Sequence, residues 1–230
     1  MTIDNPLIDE LKEAIAKGNV LAVVGAGVSI SATSNAPTAS WKGLLLHGVD
    51  YCRDRRLIDA DEAESAEIDI KSNKTPRMLL AAERISQAMG APDGGEYRKW
   101  LRETIGILTF DEAHPVLVAL KQLNVPVLTT NYDDVLAQGL GRKPYTWQHS
   151  SHVERILRGD TTGIIHLHGY WEDSASVILG IRSYEAILGD AQAQNLMHAL
   201  RTMKTLLFIG CGAGLDDPNS FVRRIRILIR

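Results

Sequence analysis

Imidazole titrates nearer neutral pH than any other side chain, and this chain carries two imidazoles spaced by one residue, His166 and His168, in the segment IIHLHG. At the end of a strand such a group can take a proton from a water or a sugar hydroxyl. Strand alternation puts both on one face, where a third ligand from elsewhere would complete a metal site. The other readings are a packed pair of strand-end histidines and a single general base at the strand's carboxyl end. A polar cluster, Thr129-Thr130-Asn131-Tyr132-Asp133-Asp134, follows the apolar run VPVL. One of Asn131 and Asp133 is expected to cap the next helix, but six polar groups exceed what a cap needs. Asn131 can both donate and accept, which suits orienting a hydroxyl or a water. Asp133 can stabilise positive charge or hold the loop.

Two glycine corners complete the set. Gly25 and Gly27 follow the run VLAVV. There the backbone can approach a pyrophosphate closely, with free N–H groups and a helix dipole favouring the anion. The third glycine of a dinucleotide fingerprint would fall at position 30, which is Ile30. No strand ending in an acidic residue follows about 20 residues on, so an ordinary dehydrogenase is disfavoured. The second corner, Gly210-Cys211-Gly212, follows TLLFI and precedes Gly214, Asp216 and Asp217. Cys211 has no basic neighbour to lower its pKa, so it reads as a small packed residue rather than a nucleophile.

The elements that position these corners are legible from periodicity. Apolar runs at 20–24, 125–130 and 205–210 predict strands covered on both faces, with shorter candidates at 163–169 and 176–180. Helical patterns at 7–15, 113–123, 132–139 and 183–203 alternate with them. Asp4 or Asn5 would cap the first of these helices and Gly18 would stop it. This alternation predicts a Rossmann-like, doubly wound α/β parallel sheet. Residues 41–108 are helical by period, with Thr75 and Pro76 as a cap pair and GAPDGGE at 90–96 as a loop. The expected organisation is a single domain, 1–230. Its core spans about 1–48 and 110–230, and a helical insertion occupies about 49–109. The amphipathic end FVRRIRILIR suggests a final helix or a cut through a longer protein.

Composition narrows the partners. The 230 residues are 45% hydrophobic and 23% charged, enough for one sizeable core. A formal net charge of −3 argues against direct nucleic-acid binding, which needs a concentrated basic surface. No apolar run reaches the roughly 18 residues of a membrane span, and the charged, helical N-terminus does not resemble a signal peptide. A cytoplasmic location is expected. Only Cys52 and Cys211 occur, so neither a disulfide scaffold nor a cysteine zinc site can be assembled.

In order along the chain, GAGVS, TTNYD, LHG and FIGCG…D resemble the sirtuin (silent information regulator) family, and within it the NAD-cleaving domains of bacterial anti-phage defence proteins. The resemblance covers about 20–48 and 110–220. Deacylating sirtuins carry a four-cysteine zinc module, and with two cysteines this chain departs from them; it resembles a sirtuin-like fold without that module. The resemblance implies an NAD+ hydrolase that cleaves the nicotinamide–ribose bond, with NAD+ as substrate and no metal. The alternative is a non-catalytic module that senses NAD or an ADP-ribose-type nucleotide. By resemblance, Gly25, Ala26, Gly27 and Ser29 match the pyrophosphate loop. Thr130, Asn131 and Asp133 match the stretch beside the nicotinamide ribose. His168 matches the catalytic histidine, while His166 has no fixed family role. Gly210, Cys211 and Gly212 match the stretch at the adenine-side ribose, with Gly212 where many members have serine. The implied catalytic set is therefore His168, Asn131 and Asp133. A homo-oligomer is expected, and so is a regulatory partner or C-terminal sensor region that gates activity.

Overall fold

The computed structural model describes residues 6–191, 193, 194, 196 and 205–212. Among these residues five parallel strands form one sheet: β1 (Val20–Val24), β2 (Val127–Thr129), β3 (Pro144–Thr146), β4 (Ile164–His166) and β5 (Thr205–Ile209). Their order is β3-β4-β2-β1-β5, so the crossover from β4 to β5 carries the chain past β2 and β1 to the far edge. Register is continuous across the centre, with Val24 opposite both Thr129 of β2 and Ile209 of β5. All the strands therefore end on one rim, and the corners that follow β1, β2, β4 and β5 are brought together there.

Two-sided burial explains the continuous apolar runs of β1 and β2, but β5 lies at the sheet edge and is only partly covered, with Thr205 and Phe208 exposed, which corrects the expectation for 205–210. All five residues of β1 are buried. Val20, Ala22 and Val24 pack with Leu117 and Leu120 of α7 (Pro115–Leu123) and with Leu136 and Leu140 of α8 (Val135–Leu140). Leu21 and Val23 face the other way, onto Val153 and Ile156 of α9 (Ser150–Arg158). On the first of these faces α1 (Pro6–Ala16) adds Leu11, Ala14 and Ile15, and it stops before Gly18 at φ +68°. The caps expected for α1 at Asp4 or Asn5 lie outside the described residues.

Between β1 and β2 the chain builds α2 (Ala26–Ala32) and then a helical layer. That layer comprises α3 (Trp41–Asp54), α4 (Ala60–Lys71), α5 (Thr75–Ala88) and α6 (Gly95–Thr104). It has its own core, in which Trp100, Leu101, Leu44, Leu45 and Ile85 are almost wholly buried. Trp100 also donates its indole N–H to His47 Nδ1 at 3.2 Å. Asp59 and Glu62 close a reciprocal capping box on α4. The boundary expected at 48/49 falls inside α3, which runs unbroken across it.

Other expectations shift for identifiable reasons. The cap of α5 is Lys74, which leaves Thr75 and Pro76 in the first turn, where proline lacks nothing the helix would use. The run at 176–180 is not a strand: Ser174–Ser176 form a 3-10 turn, and Ile178 donates its N–H to the His168 carbonyl at 2.8 Å. In the segment expected to be one helix over 183–203, α10 spans Ile181–Leu188, and residues 197–203 lie outside those described. Strand β3 and helix α9 were not anticipated, because a three-residue strand beginning with proline has too short a period to read. The terminal FVRRIRILIR also lies outside the described residues.

Candidate functional site

The β1 corner and the β5 corner interlock. Gly25 donates its N–H to the Ile209 carbonyl at 2.9 Å and Gly27 donates to the Gly210 carbonyl at 2.8 Å. A Cβ on Gly27 would lie 2.7 Å from that same carbonyl oxygen, and one on Gly25 would lie 2.8 Å from the Cα of Cys211. Gly210 returns the constraint: its φ is +64°, and its Cβ would meet the Val28 nitrogen at 2.7 Å. These glycines are thus dictated by backbone packed on backbone. The N–H groups of Gly25 and Gly27 are thus not among those left for an anion at this corner, since the end of β5 and Gly210 just after it accept both.

The polar cluster after β2 resolves into separate tasks. Thr129 Oγ1 donates to the Val24 carbonyl at 2.9 Å and accepts the Asn131 N–H at 3.0 Å. Asn131 donates through Nδ2 to the Gly25 carbonyl at 3.2 Å and to Ser29 Oγ at 2.8 Å. Tyr132 sends its hydroxyl to the Ile178 carbonyl at 2.8 Å. Asp133 accepts the Val135 N–H at 3.0 Å at the start of α8, but the N-cap of that helix is Asp134, so the cap expected at Asn131 or Asp133 falls on the next residue. Asp134 accepts from Tyr170 Oη at 2.5 Å and from Trp171 Nε1 at 2.9 Å. Every residue but Thr130 therefore ties the rim together through its side chain. With both Nδ2 hydrogens engaged, Asn131 has Oδ1 left to offer, an acceptor rather than the two-way group expected.

Asp133 is buried, and its carboxyl is pushed up to about 6 by loss of solvation, against which the Ser29 hydroxyl and the Val135 N–H hold the charged form. Ser29 is completely buried and does not line the cleft described below. It sits between Asn131, from which it accepts, and Asp133, to which it donates. Of the residues expected in a pyrophosphate loop, Ser29 is the one whose side chain is turned to these internal bonds.

The two histidines part company because β4 stops at His166, so alternation does not carry on to residue 168. His166 is fully buried, with Nδ1–H donating to the Asn131 carbonyl at 2.8 Å. Burial drives its pKa down to about 4, and its Nε2 has no hydrogen-bond partner among the described residues. His168 is half-buried and lies past the strand end, where Gly169 turns the chain at φ +90°.

A cleft of about 490 Å³ opens on this rim. Gly25, Ala26, Gly27, Thr130, Asn131, Asp133, His168, Gly210, Cys211 and Gly212 all border it, so of the anticipated residues only Ser29 stands behind the wall. Cys211 is a poor nucleophile there, because burial raises its thiol to about 11. Gly214, Asp216 and Asp217 lie outside the described residues. The opposite wall went unanticipated: it comes from the helical layer and α10, with Thr38, Ser40, Trp41, Leu44, Ile105 and Tyr184. The segment NAPTASW, a Pro/Ser/Thr-rich connection ending in an aromatic soon after the first glycine corner, was the available signal.

Three of the four corners fall in one stretch that resembles known proteins. Residues 125–228 match the SIR2-like domain family. SIR2-like domains use NAD+, and the match supports sirtuin-like character for the part of the sheet from β2 to β5. The SIR2-like span contains TTNYDD, IIHLHG and FIGCG but not Gly25–Ser29. That first corner is joined to it by the bonds from Gly25 to Ile209, from Gly27 to Gly210 and from Asn131 to Gly25.

Proposed function

We propose that this chain is an NAD+ glycohydrolase that cleaves the bond between nicotinamide and ribose, with His168 and Asn131 at the reacting sugar. The observation that carries this reading is that both border one cleft with the Gly25–Gly27 corner, at the carboxyl ends of a parallel sheet, where such folds bind nucleotides. The cleft's volume lies within the roughly 300–1,000 Å³ of small-molecule sites.

The chemistry asks little of an acid. Nicotinamide in NAD+ is cationic and leaves neutral, through a transition state with oxocarbenium character as in glycoside cleavage. The protein must fix the sugar, orient a water and accept a proton. Asn131 Oδ1, its amide locked by Gly25 and Ser29, would accept from a ribose hydroxyl or the attacking water. His168 would take the proton, a role generally worth about 10²- to 10⁴-fold. Asp133, tied to Ser29 and Val135, would hold this arrangement and add negative charge near the developing cation. Trp41 offers an aromatic ring for one of the bases.

The test is to incubate the purified chain with NAD+ and identify products by chromatography. Release of nicotinamide together with ADP-ribose or its cyclised form is expected, unchanged by a chelator. Binding without release would instead mark a nucleotide sensor, and inactivation by chelator would point to metal-dependent hydrolysis. Unchecked NAD+ loss would harm a host cell, so we place this activity in anti-phage defence under control of a partner or an assembly.

A further inference from the structure

We infer that Tyr184 is a positioning residue that holds the His168 imidazole in its working orientation, an inference that rests on the catalytic reading of His168. The two rings meet edge-on, with centroids 5.5 Å apart and planes 77° apart, and both border the cleft. The second torsion of an imidazole is broad, and a packed ring beside it narrows that freedom.

Tyr184 reaches His168 because the chain between them folds back and is pinned at several points. Gly169 turns sharply, and a Cβ there would lie 2.2 Å from the Ser176 carbonyl oxygen. Ile178 then returns to donate its N–H to the His168 carbonyl, while its own carbonyl accepts the Tyr132 hydroxyl at 2.8 Å. The start of α10 is fastened by Ser183 Oγ, which accepts from the Leu179 N–H at 3.0 Å and donates to the Gly180 carbonyl at 2.7 Å. Glu83 of α5 completes the anchor: it accepts the Arg182 N–H at 3.2 Å and pairs with the Arg182 side chain at 3.5 Å. Gly180 sits so close to Glu83 that a Cβ would lie 2.7 Å from its Cα. No residue of α10 is buried, so its place is set by these polar ties and not by a core. Through the Tyr184 ring the helical layer thereby reaches His168.

The experiment compares wild type, Tyr184→Phe and Tyr184→Leu by nicotinamide release from NAD+ and by the NMR shifts of the His168 ring protons. Tyr184→Phe keeps the ring and is expected to stay within about threefold of wild type. Tyr184→Leu is expected to lose about 100-fold in kcat with KM little changed, the cost expected of a misplaced catalytic group. Its His168 ring protons should lose the displacement caused by a neighbouring aromatic, while its backbone amide spectrum stays folded. Full turnover by Tyr184→Leu, or unchanged His168 shifts in it, would overturn the inference; so would an equal loss in Tyr184→Phe, which would make the hydroxyl the active feature. If wild type releases no nicotinamide, the NAD+-cleaving reading fails, and the ring-proton shifts still decide whether Tyr184 orients His168.

Discussion

The rim of the sheet and the helical wall facing it border the same cleft but are built differently. On the rim, side chains and backbone are locked by hydrogen bonds between strands: Asn131 on Gly25 and Ser29, Gly27 on Gly210, His166 on Asn131. On the wall, Leu44 is rooted in the apolar core around Trp100 and Ile85, Trp41 packs against that core, and Tyr184 is set by polar ties at the start of α10. The contrast teaches that chemistry and shape come from separate halves of the fold. Rim residues should govern rate and stability together, while wall residues should govern affinity and fine orientation.

The sharpest test of that division is His168→Ala, expected to lower kcat by about 10²- to 10⁴-fold while the protein stays folded, because His168 is half-buried. Asn131→Ala should lower kcat similarly but also lower the melting temperature, since it unties two bonds to the first glycine corner. A variant of Asn131 that is inactive yet unchanged in stability would break the claim that the rim does both jobs.

Next in size is a pH effect. Asp133, with its pKa raised to about 6, destabilises the fold as pH rises through about 4 to 6, where the native state must charge it. His166, lowered to about 4, works the other way: its contribution is full above about pH 6.5 and is lost as pH falls toward 4. The two slopes oppose, so the wild-type profile in this window should be shallow. Asp133→Asn should unmask a stability that climbs with pH, gaining on wild type by up to about 3 kcal/mol between pH 4 and 6.5. Parallel profiles from urea unfolding would show that Asp133 is not buried in charged form.

Gly27→Ala follows. Its methyl would lie 2.7 Å from the Gly210 carbonyl oxygen, so a loss of about 1–3 kcal/mol in unfolding free energy is expected. Neutral behaviour there would mean that the two glycine corners are not interlocked. The smallest effect belongs to Trp41 on the wall. Trp41→Leu should raise KM by up to about tenfold with kcat nearly unchanged, the size of a lost aromatic contact. A fall in kcat as large as that of His168→Ala would place Trp41 at the reacting sugar rather than at a base.

The rim was legible in the sequence because parallel strands leave a strong trace. VLAVV and TLLFI are apolar on both faces, and each ends in glycine where backbones must touch. His168 and Asn131 could be singled out by residue type and by their place after a strand. Their bonding could not be, since it depends on which strands become neighbours: Ser29 pairs with residues about 100 positions away. Likewise, that the amides of Gly25 and Gly27 are already taken follows only once β5 is known to lie beside β1. Periodicity located the helices of the wall, but it could not say that Trp41 and Tyr184 end at the cleft. That follows from packing among helices, which leaves no local signature.

The central claim is that this cleft cleaves NAD+, and the direct measurement is nicotinamide released per mole of purified chain incubated with NAD+. The account predicts multiple turnovers in wild type and release slowed by about 10²- to 10⁴-fold in His168→Ala. Equal release by both proteins, or tight NAD+ binding by wild type with no nicotinamide formed, would contradict it.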